Sequence, residues 1–354
     1  MLVFYQRNII EERLFEEEEK SMSNQKIAVI GYGMWGRNIV RNFYNLNVLH
    51  TVCDLDSEVR EKIKELYPSV NVIGDMNEII NNPEITGVTV VTPSHTHYNI
   101  VKKLLEAGKN VYVEKPISTV AQEAKDLMDL ANEKGLVLMV GHLLLYHPAV
   151  NRLKMLIESG ELGDIVYAQS DRLNVNYFKN DRSVMWDLAP HDVSMISYVT
   201  GKNPLKVISA MGCSTENNTI MDITHIGIEF EDGLIGYISD SWITPQKHVS
   251  LLVRGTKATA ILDDTVAENK LKLYDNLPGS PVKDIPLDYL EIEPLKLECQ
   301  HFVSCCENHT KARSDGENGY LVVSILEEAE RVMLGAKVKA LDERHFALSR
   351  TKGV

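Results

Sequence analysis

The segment between residues 26 and 45 constrains the fold more than any other part of the chain. A short apolar run, Ile27-Ala28-Val29-Ile30, leads into a turn, Gly31-Tyr32-Gly33-Met34-Trp35-Gly36, and then into an amphipathic stretch. In such a turn the first glycine permits the tight bend, the second lets the backbone approach a pyrophosphate, and the third allows close helix–strand packing. This order predicts the start of a doubly wound α/β sheet, with these six turn residues binding a dinucleotide at the helix N-terminus.

The alternation of strand and helix patterns continues to about residue 142. Five more short runs rich in β-branched residues follow, and amphipathic stretches separate them. The runs are 51–53, 70–73, 88–91, 111–113 and 137–140. Such alternation predicts parallel strands that are covered by helices on both faces. Ser57 is expected to cap the helix that ends before Pro68.

Beyond residue 142 the strands become longer and more polar, and turn sequences such as Glu231-Asp232-Gly233 join them. We therefore predict an α/β chain with an N-terminal Rossmann doubly wound parallel sheet in residues 25–142. Residues 143–354 are predicted to form a C-terminal α+β domain with a large, mostly antiparallel open sheet for substrate binding and oligomerisation. Residues 1–24, which contain an acidic stretch, are expected to be a disordered or loosely packed extension.

Length, charge and cysteine content limit the class of protein. A chain of 354 residues is long for one core and favours two domains. The formal net charge of −13 argues against a nucleic-acid partner, because phosphate binding needs clustered Lys and Arg. No apolar run approaches the roughly 20 residues of a membrane-spanning helix, so no membrane partner is expected. Five irregularly spaced cysteines are typical of reduced thiols, which predicts a cytoplasmic location.

A carboxylate at the end of the second predicted strand selects between the two nicotinamide cofactors. Asp54 lies where it can accept hydrogen bonds from both hydroxyls of a ribose, and it would repel a 2′-phosphate. Asp56 adds to this repulsion, and no arginine is expected beside the pair. The sequence therefore predicts NAD rather than NADP.

Two later motifs carry groups that are suited to acid–base chemistry. Glu114-Lys115-Pro116 follows a predicted strand, and Met185-Trp186-Asp187-Leu188-Ala189-Pro190-His191-Asp192 belongs to a predicted helix. Asp187 and His191 lie one helical turn apart and share a face, as a histidine and its orienting carboxylate need to. Taken singly, a lysine before proline is usually a solvated strand end and a His–Asp pair is usually a surface feature. Three motifs in this order predict an enzyme.

From about Lys26 to its end the chain resembles the glucose–fructose oxidoreductase / inositol dehydrogenase (Gfo/Idh/MocA) family. The matching segments are the glycine turn, Thr92–His97, Gly108–Pro116, Gly141-His142 with Pro148, and Asp187-x-x-x-His191-Asp192. The resemblance implies hydride transfer between a sugar or polyol hydroxyl and a nicotinamide cofactor, in a homodimer or homotetramer. It also implies that Lys115, Asp187 and His191 are catalytic and contact the substrate.

Two positions depart from the common family pattern. Many members have a glycine where this chain has Leu188-Ala189-Pro190, and many have an arginine where it has Leu145. The variants at 141–148 and 186–192 are similar to a subgroup that oxidises the 3-hydroxyl of UDP-N-acetylglucosamine or its uronic acid. The alternatives are an inositol or free-aldose dehydrogenase and, from another class, a non-catalytic NAD-binding sensor.

The roles within the predicted catalytic set stay open. His191 is the expected base, because an imidazole has an unperturbed pKa near 6.5. Lys115 would stabilise the developing alkoxide, or would take the proton itself if its pKa were depressed. Asp187 would orient the imidazole or bind a neighbouring hydroxyl.

Further residues are predicted around the two ligands. On the cofactor side we expect Thr92, Pro93, His97, Glu114 and Lys115 to lie near the nicotinamide, with helix capping as the alternative for His97. On the substrate side we expect Arg172, Asn174 and Tyr177, because these side chains suit a diphosphate, sugar hydroxyls and a stacked base. Ordinary sheet polarity explains the second group nearly as well.

The Cys- and His-containing stretch between residues 299 and 309 does not have the spacing of a zinc site. Cys299, Phe302, Val303 and Cys306 instead fall at helical spacing. They are predicted to form a core stripe, and no metal is expected.

Overall fold

The computed structural model describes residues 24–175, 182–215, 220–277, 279–287 and 292–350. Residues 1–23 of the predicted extension and the predicted substrate residue Tyr177 lie outside these ranges. No helix within them is both long and apolar enough to cross a membrane.

The first sheet is a six-stranded parallel sheet within residues 24–141, in the order β3-β2-β1-β4-β5-β6. Its strands are β1 (Ile27–Ile30), β2 (Leu49–Cys53), β3 (Asn71–Ile73), β4 (Gly87–Val90), β5 (Asn110–Glu114) and β6 (Leu138–Gly141). The strand order reverses between β1 and β4, which is the crevice where sheets of this kind bind their ligands. The predicted doubly wound Rossmann sheet is confirmed.

The second sheet contains eight strands among the described residues beyond 164, in the order β14-β13-β12-β11-β7-β10-β9-β8. They are β7 (Ile165–Val175), β8 (Pro204–Cys213), β9 (Ile223–Phe230), β10 (Ile235–Ser241), β11 (Ile243–Gly255), β12 (Ala258–Asp263), β13 (Leu271–Asp275) and β14 (Val282–Asp284). Among the described strands of this sheet, β7 and β10 pair in parallel and the other neighbours pair antiparallel. The predicted mostly antiparallel sheet is therefore also confirmed.

Helices pack on both sheets. They are α1 (Gly36–Asn45), α2 (Ser57–Leu66), α3 (Asn77–Asn81), α4 (His97–Glu106), α5 (Ala121–Lys134), α6 (Pro148–Glu158), α7 (Val184–Thr200), α8 (Pro294–Asn308) and α9 (Gly316–Arg350). The expectation that Ser57 caps α2 is wrong, because Asp56 is the N-cap. Its carboxylate accepts from the N–H groups of Glu58 and Val59, at 2.8 and 3.4 Å.

Helix α8 returns from the end of the chain to fill the core of the first sheet. The Phe302 ring lies 6.4 Å from that of Phe43 and 5.7 Å from that of Tyr112. A Cβ on Gly87 would lie 3.1 Å from the Phe302 ring, a tight contact, so the glycine makes room for this approach. The predicted stripe of Cys299, Phe302, Val303 and Cys306 is buried, as expected of core. Among the described residues, no three His, Cys, Asp or Glu side chains lie close enough together to hold a metal ion.

Helix α7 connects the two sheets. It packs against the inner faces of β7 and β10, and its N-terminal turns reach the carboxyl end of β5. Further along the chain, the Ser314 hydroxyl donates to the carbonyl of Val140 at 2.6 Å and ties the start of α9 to β6. The predicted boundary at residue 142 stays a prediction.

Candidate active site

The glycine turn has the shape that the sequence predicts. Gly31 has a φ of +100°, and a Cβ there would lie 2.6 Å from the carbonyl oxygen of Val91. A Cβ on Gly36 would lie 2.4 Å from the carbonyl oxygen of Gly31, so the third glycine is required by the turn itself. A Cβ on Gly33 would meet nothing within 4 Å. The backbone at Gly33 is therefore open to a ligand, which fits a pyrophosphate at the N-terminus of α1.

Asp54 is fixed beside this turn by its backbone contacts. One carboxylate oxygen accepts from the N–H of Tyr32 at 2.8 Å and the other accepts from the N–H of Asp56 at 3.0 Å. Each oxygen keeps a second lone pair for a ribose hydroxyl. The expectation that no arginine lies nearby is wrong, because Arg60 Nη1 donates to the carbonyls of Asp54 and Leu55, both at 2.9 Å. The contacting nitrogen of Arg60 is thus engaged with the backbone.

Glu114 joins the glycine turn to the end of β5. Its carboxylate accepts from Trp35 Nε1 at 2.6 Å and from the N–H of Lys115 at 3.2 Å. Burial raises the pKa of Glu114, and these donors oppose that rise. A Cβ on Gly141 would lie 2.9 Å from the carboxylate, so this glycine leaves room for it. Glu114 and Trp35 therefore hold the cofactor turn against the strand that carries Lys115, while Met34 is exposed at the tip of the turn.

Lys115 and Asp187 meet although 72 positions separate them. Lys115 Nζ donates to the carbonyl oxygen of Asp187 at 2.6 Å and lies 3.6 Å from its carboxylate. The two side chains are 19% and 13% exposed, so the ion pair lies in a crevice and not in bulk water. Pro190 has no N–H to continue the helical ladder of α7. His191 follows Asp187 by one turn of α7 and is half-buried.

Arg172 is engaged inside the protein. Its Nε and Nη2 donate to the carboxylate of Asp192, at 3.1 and 2.8 Å, and Asp192 also accepts from the Ser170 hydroxyl at 2.7 Å. Asp192 is fully buried and Arg172 is 15% exposed. Asp240 is buried and pairs with Arg172 across strands β10 and β7. Burial raises the pKa of Asp240, and the Asp192 carboxylate raises it further. The charge of Arg172 is therefore balanced, which disfavours the diphosphate role that we predicted for it.

The remaining predicted residues lie at the carboxyl edges of β4 and β7. Thr92 and Pro93 follow β4, and the Thr92 hydroxyl lies 2.7 Å from that of Thr96. Asn174 is half-buried near the end of β7.

His97 lies behind this edge, not on it. Its ring is 1% exposed, and its nitrogens lie 2.8 Å from the carbonyl oxygens of Pro116 and Thr92. Burial lowers its pKa. No side-chain cap is formed at the start of α4. His97 therefore does not cap α4 but braces the Thr92 turn against the loop that follows Lys115, and its predicted place near the nicotinamide stays a prediction.

His142 lies close to Lys115, although the sequence analysis gave this histidine no role of its own. Its ring is 1% exposed at the end of β6, the strand beside β5, and neither ring nitrogen has a hydrogen-bond partner among the described residues. Burial lowers its pKa to about 3, and the charge of Lys115 lowers it further in the same direction. The imidazole beside Lys115 is therefore neutral. Its place in the Gly141-His142 motif was the available signal.

Two protein-family models match the chain. The oxidoreductase family with an NAD-binding Rossmann fold (GFO/IDH/MocA) matches residues 25–142, and the GFO/IDH/MocA C-terminal domain matches residues 150–261. Together these ranges cover more than half of the 354 residues.

Two curated relatives and two solved structures illustrate the likeness. UDP-N-acetylglucosamine 3-dehydrogenase of Acidithiobacillus ferrooxidans is 26% identical over 314 residues, which are 86% of this chain and 95% of that protein. The NAD-dependent scyllo-inositol 2-dehydrogenase of Bacillus subtilis is 26% identical over 307 residues, 80% and 86% of the two chains. The Acidithiobacillus structure has a TM-score of 0.76 at 23% identity, covering 87% of this chain and 97% of that one. A levoglucosan dehydrogenase with NADH and levoglucosan has a TM-score of 0.76 at 19% identity, covering 87% and 98%.

Proposed function

This chain belongs to the GFO/IDH/MocA oxidoreductase family, and we propose that it transfers a hydride from C3 of a UDP-N-acetylamino sugar to NAD. The observation that carries the proposal is the contact between Lys115 and Asp187. It brings the end of a cofactor-sheet strand to the helix that carries His191, so that a cation and a carboxylate meet one helical turn before the predicted base. A secondary alcohol needs such a set for its oxidation.

The residues of the turn fit NAD. Gly33 is open to a pyrophosphate, and Asp54 presents carboxylate oxygens at the end of β2 for the ribose hydroxyls. NAD supplies the hydride acceptor when it is bound. Thr92, Pro93 and Lys115 lie at the carboxyl edge of the same sheet, where the nicotinamide end is expected.

The chain's own residues would manage the proton and the developing charge. We assign His191 as the base that takes the hydroxyl proton, with Asp187 one turn earlier as its orienting carboxylate. Lys115, held at the Asp187 carbonyl, supplies positive charge to the forming alkoxide. Lys115 remains the alternative base, because it lies in the same crevice as Asp187 and could take the proton itself.

The substrate assignment rests on the subgroup resemblance and on the Acidithiobacillus relative, which is a UDP-N-acetylglucosamine 3-dehydrogenase. The inositol dehydrogenase of similar identity supports the polyol alternative. A turnover assay with NAD separates the two substrate classes, and the formation of NADH is followed by its absorbance. The sugars supplied are UDP-N-acetylglucosamine, its uronic acid, scyllo-inositol and free glucose. We expect turnover with the UDP sugars. Turnover with the free polyol or aldose alone would reject this substrate class, and NAD binding with no turnover on any sugar would support the sensor alternative.

We also propose that the chain forms a homodimer or homotetramer through the outer face of the second sheet. Tyr167, Leu173 and Leu252 alternate onto this face and remain partly exposed in the single chain. Light scattering should give a mass of two or four subunits, and a monomeric mass at micromolar concentration would reject the proposal. The cytoplasmic location stays a prediction.

A further inference from the structure

The Trp35 indole connects the glycine turn to the strand that ends beside Lys115. Its Nε1 donates to Glu114 Oε1 at 2.6 Å, although 79 positions of the chain separate the two residues. Trp35 is 40% exposed and belongs to the turn in which the backbone at Gly33 is open to a ligand. This bond therefore joins the expected cofactor side of the crevice to the side that carries the lysine.

The two carboxylate oxygens of Glu114 have different partners. Oε1 accepts from the Trp35 indole and from the Tyr112 hydroxyl at 3.4 Å, whereas Oε2 accepts from the backbone N–H of Lys115 at 3.2 Å. Burial raises the pKa of Glu114, and the largest effects that oppose this rise are the Trp35 bond and then the charge of Lys115. Trp35 is thus the main neutral donor to a buried carboxylate whose neighbouring cation is Lys115.

Lys115 lies close to a second carboxylate besides that of Glu114. Its Nζ donates to the carbonyl oxygen of Asp187 and is 3.6 Å from the Asp187 carboxylate. If the indole donor were removed, Glu114 would keep a buried acceptor without its shortest bond, and such an acceptor is costly to leave unpaired. The Lys115 ammonium would then be drawn toward Glu114 and away from α7.

We propose that Trp35 is a positioning residue for Lys115 and acts through Glu114. The indole N–H satisfies the Glu114 carboxylate, so the Lys115 ammonium stays directed at Asp187 and at the reacting hydroxyl. The inference rests on the proposed function. It gives Trp35 an effect on the charge that stabilises the alkoxide, beyond any contact that its ring makes with the cofactor.

The kinetic test removes the indole N–H and keeps an aromatic ring in the turn. In the full-length protein, Trp35→Phe should lower kcat for UDP-N-acetylglucosamine about tenfold, the scale of one hydrogen bond to a charged group, and should change NAD affinity by less than about threefold. Glu114→Gln added to Trp35→Phe removes the competing charge, so this double variant should be about threefold or more faster than Trp35→Phe alone. Tyr98→Phe removes a hydroxyl 3.5 Å from Asp126 and is the matched control, with unchanged kcat.

A second readout needs no turnover. The rate at which acetic anhydride acetylates Lys115 at constant pH, measured by mass spectrometry of its peptide, reports how firmly the amine is held as a paired cation. This rate should be about threefold or more lower in Trp35→Phe than in the wild type, because a carboxylate without its donor favours the charged amine. Lys206, which is exposed, is the reference in the same sample.

The outcomes separate this inference from the proposed function. An unchanged acetylation rate, or a double variant no faster than Trp35→Phe, would overturn the positioning role while the dehydrogenase stands. The second result would mean that loss of the indole damages the turn and not the direction of Lys115. If the wild type turned over no sugar, the proposed function would fall, and the acetylation rates would still decide whether Trp35 controls Lys115.

Discussion

His191 is the residue on which the proposed proton transfer depends most directly. It is half-buried on α7, one turn beyond the carboxylate that lies 3.6 Å from Lys115 Nζ. Lys115 can stabilise an alkoxide through its charge without being the base, whereas the imidazole is the one side chain of the predicted set whose unperturbed pKa lies near 7. If His191 is the base, substitution of His191 abolishes proton removal, and if Lys115 is the base, substitution of Lys115 does so.

His191→Ala should lower kcat by about 100-fold or more, which is the usual scale for the loss of general acid–base assistance. NAD affinity should change little, because the cofactor turn is on the other sheet. Initial rates measure kcat, and NAD titrations measure the affinity for the cofactor. His95→Ala removes an exposed imidazole and serves as the control. A kcat within threefold of wild type would move the base to Lys115.

Arg172 and Asp192 give a residue-scale prediction for stability. Asp192 is fully buried, so removal of its partner leaves an unpaired charge in the core. Arg172→Ala should reduce the free energy of unfolding by about 3–5 kcal/mol in urea denaturation. Lys206→Ala removes one partner of an exposed pair with Glu229 and should cost less than about 1 kcal/mol. Equal small losses in both variants would contradict the structural role of the Arg172 pair.

At the scale of elements, two glycines of the same turn are needed for different reasons, Gly36 for folding and Gly33 for cofactor binding. Gly36→Ala places a Cβ 2.4 Å from the Gly31 carbonyl oxygen and should cost about 1–3 kcal/mol of stability. Gly33→Ala meets no protein atom within 4 Å and should leave the melting temperature nearly unchanged. It should nevertheless weaken NAD binding about tenfold or more, since the added methyl points at the pyrophosphate position. Calorimetric titration and thermal melts distinguish the two, and tight NAD binding by Gly33→Ala would contradict the proposed cofactor position.

The elements that the sequence predicts well are those with a strong local signal. Each strand of the first sheet is a β-branched run beside a helix with clear periodicity, so β1 to β6 agree with prediction to within two residues. Strands β13 and β14 were not anticipated. Strand β14 is a three-residue exposed strand at the sheet edge and carries little pattern, whereas β13 alternates the buried Leu271 and Leu273 with polar residues, a short signal that was overlooked. Asp56 displaced Ser57 as the α2 cap because both residues are good caps and only the backbone geometry decides.

Contacts between side chains that are distant along the chain could not be predicted from the sequence. Arg172 was expected to contact substrate, yet its partner Asp192 lies 20 positions away and belongs to a helix. Ser170 and Arg172 lie on one face of β7, and the same face receives α7, but only the packing of that helix shows it. His142 and Arg60 were overlooked for the same reason.

At the scale of the whole molecule, a helix near the end of the described chain completes the core of the first sheet. Helix α8 supplies Glu298 as well as Phe302 to the first sheet. Glu298 is fully buried beside Tyr112 and Glu114. Its carboxylate oxygens make no hydrogen bond of normal geometry among the described residues, although the Tyr112 hydroxyl lies close enough to oppose the rise in its pKa. A carboxyl group in such a place is stable as the neutral acid. Burial raises the pKa of Glu298 well above its usual value, and the Glu114 carboxylate raises it further.

This raised pKa makes folding stability depend on pH in a defined direction. An unfolded glutamate releases its proton near pH 4.3, whereas folded Glu298 retains it to higher pH. Between these two pKa values the folded state binds more protons than the unfolded state, so stability is full below about pH 4 and falls as the pH rises. Glu298→Gln removes the titration, and its free energy of unfolding relative to wild type should increase steadily from pH 5 to pH 8. Urea denaturation at each pH measures the difference, with Glu307→Gln, an exposed site on the same helix, giving a curve parallel to wild type. A parallel curve for Glu298→Gln as well would show that the buried carboxyl titrates normally, and would contradict a core that is sealed by α8.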